Sequence, residues 1–245
     1  MKLNCDLGES YGPWVMGCDE AVMPYIDQAN VACGFHASDP DTMTRTVALA
    51  ARYGVTVGAH PAYQDLVGFG RRSIPHTPAQ VKSLIWYQAG ALSGICQAHG
   101  LDVGYIKPHG ALYNDMMADD VLLRAVLEAA AEYRRGLPVM LAATPRWQHH
   151  QSLAAEYGVP VWFEAFADRA YDDSGALVPR TQSGAVYRDP DTILAQALSL
   201  HHKQGLRSIN GTWLELPADT LCVHGDNDQS ITVIARIRAA LEGRP

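Results

Sequence analysis

The chain is organised around the segment Asn30-Val31-Ala32-Cys33-Gly34-Phe35-His36-Ala37-Ser38-Asp39-Pro40. It begins as an apolar strand, turns, presents His36 and enters a helix. Pro40 suits the first turn of that helix, because no N–H is needed there. Ser38 or Asp39 can cap the helix by accepting from its free N–H groups. The segment therefore predicts a histidine in the short loop between the carboxyl end of a strand and the next helix.

The same arrangement recurs along the chain, with ionisable residues placed where a predicted strand ends. These residues are Asp6 and Glu9, then His60, Lys107 and His109, Glu164 and Asp168, and finally His224 and Asp226. A (β/α) barrel builds its active site in this way, from the carboxyl ends of several strands on one face. The repetition therefore predicts an α/β barrel with an active site on that face.

Hydrophobic periodicity supplies the remaining elements of the predicted barrel. Strands are expected at 2–7, 25–33, 55–60, 103–110 (the fourth strand with its loop), 138–143, 161–169 and 220–226, with an extra hairpin at 208–216. Helices are expected at 41–53, 78–99, 119–134, 147–157, 190–204 and 230–241, and His149 and His150 should lie on the exposed side of theirs. No linker or repeat interrupts the pattern, so residues 1–245 are predicted to form a single domain.

Composition narrows the classes of function. The formal net charge of −7 over 245 residues argues against nucleic acid, whose binders usually carry a basic patch. No apolar run approaches the length of a membrane span, and the N-terminus has no signal-like region, which favours a cytoplasmic protein. The five cysteines are scattered without a paired motif, so neither a zinc knuckle nor a disulfide framework is expected.

Two clusters of basic residues raise the question of an anionic ligand. Lys107 lies in a strand two residues before His109 and points to the same face. A buried lysine needs a partner or an anionic ligand. Arg71 and Arg72 follow a glycine-rich loop, and they are either surface charge or an anion-binding pair.

Acidic groups and histidines on one rim fit two kinds of hydrolysis. In one, Asp and His hold a divalent ion that activates water. In the other, a carboxylate acts as base while histidine or lysine stabilises an oxyanion. The chain has no phosphate loop, dinucleotide fingerprint or nucleophile elbow, and spacing alone does not decide between the two kinds.

Several motifs together resemble the LamB/YcsF family. They are Asn4 to Glu9, Asn30 to Pro40, Gly58 to Pro61, Gly68 to Arg71, Lys107 to Asn114, Glu164 to Arg169, Leu177 to Arg180 and Val223 to Asp226. The resemblance runs from residue 3 to about residue 240. It departs at Ala37-Ser38-Asp39 and Ala62-Tyr63-Gln64, beside the candidate groups but without changing them.

This resemblance implies an irregular, seven-stranded TIM-like (β/α) barrel, related to the glycoside hydrolase/deacetylase barrels. It further implies the A subunit of an ATP-dependent 5-oxoprolinase, which opens the lactam of 5-oxo-L-proline to L-glutamate together with 5-oxoprolinase subunits B and C. ATP would be used by the complex, with the partners phosphorylating the substrate.

The resemblance and the strand-end pattern together give the candidate site residues. Asp6 or Glu9 is the expected base, Lys107 is expected on the phosphate or oxyanion, and His36, His60 and His109 are expected as acids or metal ligands. Asp6, His36, His60 and His109 are the set that could hold a divalent metal. The candidate substrate-binding residues are Asn4, Arg71, Arg180, Glu164, Asp168, His224 and Asp226.

Two rival interpretations remain at this point. One is a stand-alone, metal-dependent deacetylase of N-acetyl sugars, by analogy with the related barrels. The other is a non-catalytic scaffold or substrate carrier within the same complex. A scaffold has no need of ionisable groups at so many strand ends.

Overall fold

A computed structural model describes residues 1–223 and 228–243, with the side chains of 228 and 229 left out. Seven parallel strands close into a barrel in the order β1-β2-β3-β4-β5-β6-β9, and β7 and β8 form a separate antiparallel pair. The strands are β1 Lys2–Leu7, β2 Gln28–Ala32, β3 Thr56–His60, β4 Tyr105–Ile106, β5 Val139–Ala142, β6 Val161–Phe166, β7 Gly205–Arg207, β8 Trp213–Glu215 and β9 Thr220–Cys222. The predicted seven-stranded barrel is therefore confirmed.

Helices follow most of the barrel strands. They are α1 Asp19–Val22, α2 Pro40–Tyr53, α3 Pro78–Ala98, α4 Gly110–Ala118, α5 Asp120–Tyr133, α6 Trp147–Glu156, α7 Pro190–Lys203 and α8 Asp228–Leu241. Within the described ranges 1–223 and 228–243, no helix is long and apolar enough to cross a membrane.

The boundaries of α2 show how local sequence fixes the elements. Asp39 is the N-cap, and its Oδ1 accepts from the N–H of Thr42 at 2.9 Å. Pro40 fills the first turn, and Gly54 ends the helix in the left-handed conformation (φ +68°) that glycine tolerates. Of the two capping candidates, the structure uses Asp39.

Helix α4 was not expected. It begins at Gly110, which has φ +57°, and glycine at the start of a nine-residue segment gives a weak sequence signal for a helix. The preceding strand β4 is also shorter than predicted, although Lys107 N still donates to Ala59 O at 2.9 Å and so continues the pairing with β3. Together, β4 and α4 place Lys107 and His109 in one tight connection.

One surface prediction was wrong. His149 is exposed as expected, but His150 is 1% exposed and packs inward from α6. Two adjacent residues on a helix point about 100° apart, so a single exposed face need not hold both.

Candidate active site

Several of the candidate residues meet at the carboxyl ends of the barrel strands. Asp6 lies near the end of β1, His60 is the last residue of β3, and Lys107 follows β4 directly. Glu9 and His36 come from the loops after β1 and β2. The structure thus brings side chains from four strands into one cluster, on the face where barrel enzymes carry their sites.

The ammonium group of Lys107 lies at the base of this cluster. Its Nζ is 3.0 Å from Asp6 Oδ1, 3.0 Å from Glu164 Oε2 and 3.2 Å from Asn4 Oδ1. Burial alone would lower the pKa of Lys107, but the carboxylates of Asp6 and Glu164 hold it well above its ordinary value. Lys107 is therefore a permanent positive charge that already has two carboxylate partners.

Asp6 connects the lysine to the histidines. Its Oδ1 accepts from Lys107 and from Asn30 Nδ2 at 2.8 Å, while its Oδ2 lies 3.4 Å from His60 Nε2. The Asp6 side chain keeps 18% of its surface accessible, whereas that of Glu164 has none. Of the two carboxylates on Lys107, Asp6 is thus the one that a substrate can reach.

A chain of hydrogen bonds inside the barrel supports Asp6 from below. Tyr105 OH donates to Asn30 Oδ1 at 2.6 Å, and Asn30 Nδ2 donates to Asn4 Oδ1 at 2.8 Å. Asn4 Nδ2 in turn donates to Thr220 Oγ1 at 3.0 Å. Tyr105 reaches from β4 to β2 because Gly58 of β3 lies beneath its ring, where a Cβ would overlap it.

Asn4 belongs to this supporting chain. Its side chain is completely buried, with both the amide oxygen and the amide nitrogen hydrogen-bonded within the protein. The structure therefore places Asn4 beneath the site, not on a surface that meets substrate.

Three histidines line the other side of the cluster. The rings of His36 and His109 stack at 3.7 Å between centroids, and His109 Nδ1 lies 2.9 Å from His60 Nε2. His36 Nε2 lies 3.3 Å from Glu9 Oε1. Burial, reinforced by the neighbouring imidazoles, lowers the pKa of His36 and His109 well below the usual value, so both are neutral at neutral pH.

The glycine-rich loop between β3 and α3 packs onto these histidines. Phe69 O lies 3.0 Å from His109 Nε2, and Gly70 O accepts from Ala111 N at 2.8 Å. A Cβ at Gly70 would come within 2.8 Å of His36 Cβ and 2.9 Å of His109 Cδ2. This position therefore needs glycine for space as well as for its φ of +64°.

The two arginines of this loop do not act as a pair. Arg72 Nε donates to Asp65 Oδ1 at 2.9 Å, so this guanidinium neutralises a carboxylate of its own loop. Arg71 is exposed, with its guanidinium carbon 5.1 Å from the centre of the Phe69 ring.

The remaining candidates fall into three groups. Glu164 is buried against Lys107. Asp168 and Arg180 lie in the segment after β6, where Arg180 is exposed. His224 and Asp226 lie outside the described residues. Next to these, Arg169 is buried and donates to the carbonyl groups of Ala185 and Val178, so its role is to hold that segment.

Sequence reasoning missed the roles of Tyr105, Asn30 and Phe69. Polar Gln28 and Asn30 alternate with apolar residues in β2, which is a detectable sign of a polar barrel interior. For Tyr105 and Phe69 the sequence offers no such sign, because their contacts depend on the register of distant elements.

The closed parallel barrel, with a carboxylate, lysine and histidine cluster at its strand ends, defines an α/β barrel protein with ionisable groups on the face where barrel enzymes carry their active sites. The model of the LamB/YcsF family matches residues 1–244, and the chain belongs to this family.

Relatives support the same placement. The chain is 56% identical over 241 residues to a protein from Vibrio vulnificus named as the A subunit of 5-oxoprolinase, covering 98% of this chain and 97% of the relative. It is 58% identical over 243 residues to a protein from Pseudomonas putida named as the second 5-oxoprolinase A subunit of that organism, covering 99% and 94%.

Two solved structures extend the comparison. The lactam utilization protein from Thermus thermophilus superposes with a TM-score of 0.91 at 38% identity, covering 99% of this chain and 96% of that one. A putative cellobiose-phosphate cleavage protein from Enterococcus faecalis gives a TM-score of 0.55 at 13% identity, covering 99% and 94%. The second likeness concerns the fold alone.

Proposed function

We propose that this chain hydrolyses the ring amide of 5-oxo-L-proline to give L-glutamate, as the A subunit of an ATP-dependent 5-oxoprolinase. The observation that carries the proposal is the Asp6, Lys107 and histidine cluster, in a chain 56–58% identical to proteins named as 5-oxoprolinase A subunits. The solved relative named as a lactam utilization protein agrees with a cyclic amide as substrate.

The chemistry explains why ATP is needed. An unstrained lactam is a poor electrophile because its C–N bond has amide resonance. Phosphorylation of the carbonyl oxygen removes that resonance. Water then adds to the ring carbon, the C–N bond breaks as nitrogen takes a proton, and the remaining acyl phosphate is hydrolysed to glutamate and phosphate.

Asp6 is the proposed general base. It is the accessible carboxylate of the cluster, and Lys107 together with Asn30 stabilises its charged form through Oδ1. Its other oxygen, Oδ2, lies on the side of His60. Glu9 is the second candidate, because its carboxylate lies between His36 and His109.

We propose a different role for Lys107 from the one first expected. Its ammonium group already has two carboxylate partners, and only 3% of the residue's surface is exposed. Lys107 is therefore poorly placed to be the main phosphate ligand. We therefore assign Lys107 to holding Asp6 ionised and in place. Arg71, which is exposed beside the histidines, and Arg180 remain the proposed ligands for the substrate carboxylate or phosphate.

The proposed ATP-dependent reaction is divided between this chain and its partner subunits. The names of the relatives call them subunits, which implies a complex of several chains. We propose that subunits B and C use ATP to phosphorylate the lactam and that this chain receives the activated ring.

The test is glutamate release from 5-oxoproline and ATP, measured for this chain alone and with its two presumed partner subunits. We expect release only from the complete mixture. Failure of the reconstituted, well-folded mixture would overturn the proposal and leave the acetyl-sugar deacetylase as the next activity to assay.

Variants in the complete mixture separate a catalytic role from a scaffold role. Asp6→Asn and His60→Gln should each lower turnover by roughly a hundredfold or more, the range typical for loss of a general acid or base. The matched control is Asp191→Asn, since Asp191 is exposed on α7 and pairs with Arg236. Normal turnover by the Asp6 and His60 variants would favour the scaffold.

A further inference from the structure

His60 and His109 are held in defined tautomers by main-chain carbonyl groups. His60 Nδ1 lies 2.7 Å from Lys107 O, and His109 Nε2 lies 3.0 Å from Phe69 O. A carbonyl oxygen only accepts, so the ring nitrogen that faces it carries the proton. If the ring carries only that proton, its other nitrogen has a bare lone pair.

These two bare nitrogens face each other. His60 Nε2 and His109 Nδ1 are 2.9 Å apart, which is hydrogen-bonding distance, yet neither has a hydrogen to donate in these tautomers. Two lone pairs at this separation repel, unless a positive centre lies against both. That centre is either a single proton shared by the pair or a metal ion.

The surrounding groups favour a metal ion over a proton. A shared proton needs only the two nitrogens, but Glu9 Oε1 lies 3.7 Å from His109 Nδ1 and 3.3 Å from His36 Nε2. One ligand atom from each of Glu9, His36, His60 and His109 falls within 4.8 Å of all the others. In the described part of the chain, this is the group of His, Cys, Asp and Glu residues whose ligand atoms are close enough together to hold one metal ion.

The spacing of the four groups is close to that of a coordination sphere. With metal–ligand bonds of about 2.0–2.1 Å, neighbouring ligand atoms are roughly 3.3 Å apart around a tetrahedral ion and roughly 2.9 Å apart around an octahedral one. Three of the separations are 2.9, 3.3 and 3.7 Å, and all four ligand atoms lie within 4.8 Å of one another, so the cluster is slightly wider than a closed coordination sphere. Imidazole with one carboxylate suits zinc, iron or nickel better than magnesium or calcium.

The carbonyl that fixes His109 comes from a strained backbone. Phe69 has φ +54°, a left-handed conformation that bulky residues rarely adopt, and Gly70 follows with φ +64°. Strain of this kind persists only where the surrounding structure enforces it. Here it places Phe69 O against the outer nitrogen of His109, as main-chain carbonyls do for histidines that bind metals.

We propose that Glu9, His36, His60 and His109 form a binding site for one divalent transition-metal ion, with His60 Nε2 and His109 Nδ1 as two of its ligands. Glu9 takes the carboxylate position in this set, in place of the expected Asp6. Asp6 stays on Lys107 and Asn30 and stands beside the ion. The site rests on the proposed lactam hydrolysis and deepens it, because a bound ion would activate water next to that base.

The test is metal binding by the full chain without substrate, so that its failure is distinct from failure of the proposed hydrolysis. Protein stripped with a chelator is titrated with Co²⁺ and with Zn²⁺. We expect one ion per chain by elemental analysis, visible Co²⁺ absorption typical of nitrogen and oxygen ligands, and a higher Tm with Zn²⁺.

Ligand variants make the assignment specific. His60→Ala, His109→Ala and Glu9→Gln should each weaken Zn²⁺ binding by at least about tenfold, since losing even an outer-shell partner has that effect. Circular dichroism checks that each variant folds, and the control is His149→Ala, an exposed histidine paired with Asp120. Sub-stoichiometric binding by the wild type, or equal binding by all variants, would overturn the metal site. A shared proton would then explain the short distance between His60 Nε2 and His109 Nδ1.

Discussion

Lys107 Nζ lies 3.0 Å from Asp6 Oδ1, inside the barrel and almost out of contact with solvent. The pair joins β1 to the end of β4, two strands that are not neighbours in the sheet. Because Glu164 of β6 completes the bridge from the other side, one ammonium group ties three strands together and fixes the proposed base.

Lys107→Met should remove turnover and destabilise the fold. It leaves two carboxylates without their cation in the barrel, and breaking a buried ion pair costs about 3–5 kcal/mol. The free energy of unfolding in urea and glutamate release by the reconstituted mixture measure the two effects.

A matched control exists for this substitution. Lys82 also bridges two carboxylates, those of Glu128 and Glu132, but at the surface. Since ion pairs at the surface contribute little to stability, Lys82→Met should change stability little and turnover not at all. Equal losses for the two lysine variants would contradict the special role of Lys107.

Tyr105→Phe tests the hydrogen-bond chain beneath Asp6. The variant leaves Asn30 Oδ1 without its donor, a loss of about 1–3 kcal/mol for a buried group. Turnover should also fall, by several-fold, because Asn30 is one of the groups that orient Asp6. The expected signature is a lower kcat with little change in KM.

Tyr133→Phe is the control for that experiment. Its hydroxyl donates to Ala89 O at 3.2 Å, and both residues lie on outer helices, α5 and α3. We expect a stability loss of the same kind with unchanged kcat. A Tyr105 variant that loses stability but keeps full kcat would show that the chain is structural only.

His150 should make the fold sensitive to acid. Burial lowers the pKa of His150 to about 4, from an ordinary value of 6.5. Between these two values the unfolded chain binds a proton that the folded chain does not, so stability falls as pH falls. The expected contribution is a loss of about 2 kcal/mol between pH 7.5 and pH 5.

The measurement is the free energy of unfolding at both pH values for the wild type and His150→Phe. The variant should show a shallower dependence on pH, whatever its stability at pH 7.5. His202→Phe, at an exposed position of α7, provides the control and should keep the wild-type slope. A His150 variant with the wild-type slope would show that other groups carry the acid sensitivity.

The parts of the fold that could be predicted from the sequence are those determined by residues close together in the chain. The Asp39-Pro40 start and the Gly54 end of α2, and the apolar strand that delivers His60, all follow from adjacent residues. The barrel then follows, since repeated strand and helix units of this kind close in the same way.

The parts that were missed depend on register across the barrel. Asn4 was expected to meet substrate, but its partners Asn30 and Thr220 come from the two flanking strands and enclose it. The grouping of Glu9 with the three histidines likewise depends on how the loop after β1 folds back. Neither contact corresponds to a fixed spacing of residues, so neither can be predicted from the sequence alone.

Gly70→Ala should reduce turnover strongly, although it adds only one methyl group. The new methyl group would come within 2.8 Å of His36 Cβ and 2.9 Å of His109 Cδ2, closer than real Cβ contacts allow. The histidines or the loop must therefore move, which would disturb the contact between Phe69 O and His109. Turnover should fall by at least about tenfold, because shifts near 1 Å in catalytic geometry have large effects.

Gly136→Ala separates this effect from backbone strain. Gly136 has φ +76°, close to that of Gly70, but a Cβ there would meet nothing within 4 Å. Both variants carry the left-handed penalty of about 1–2 kcal/mol, so only the difference between them reports the contact with the histidines. If unfolding in urea and glutamate release change equally in the two variants, the loop does not position His36 and His109. A larger loss of turnover for Gly70→Ala alone shows that it does.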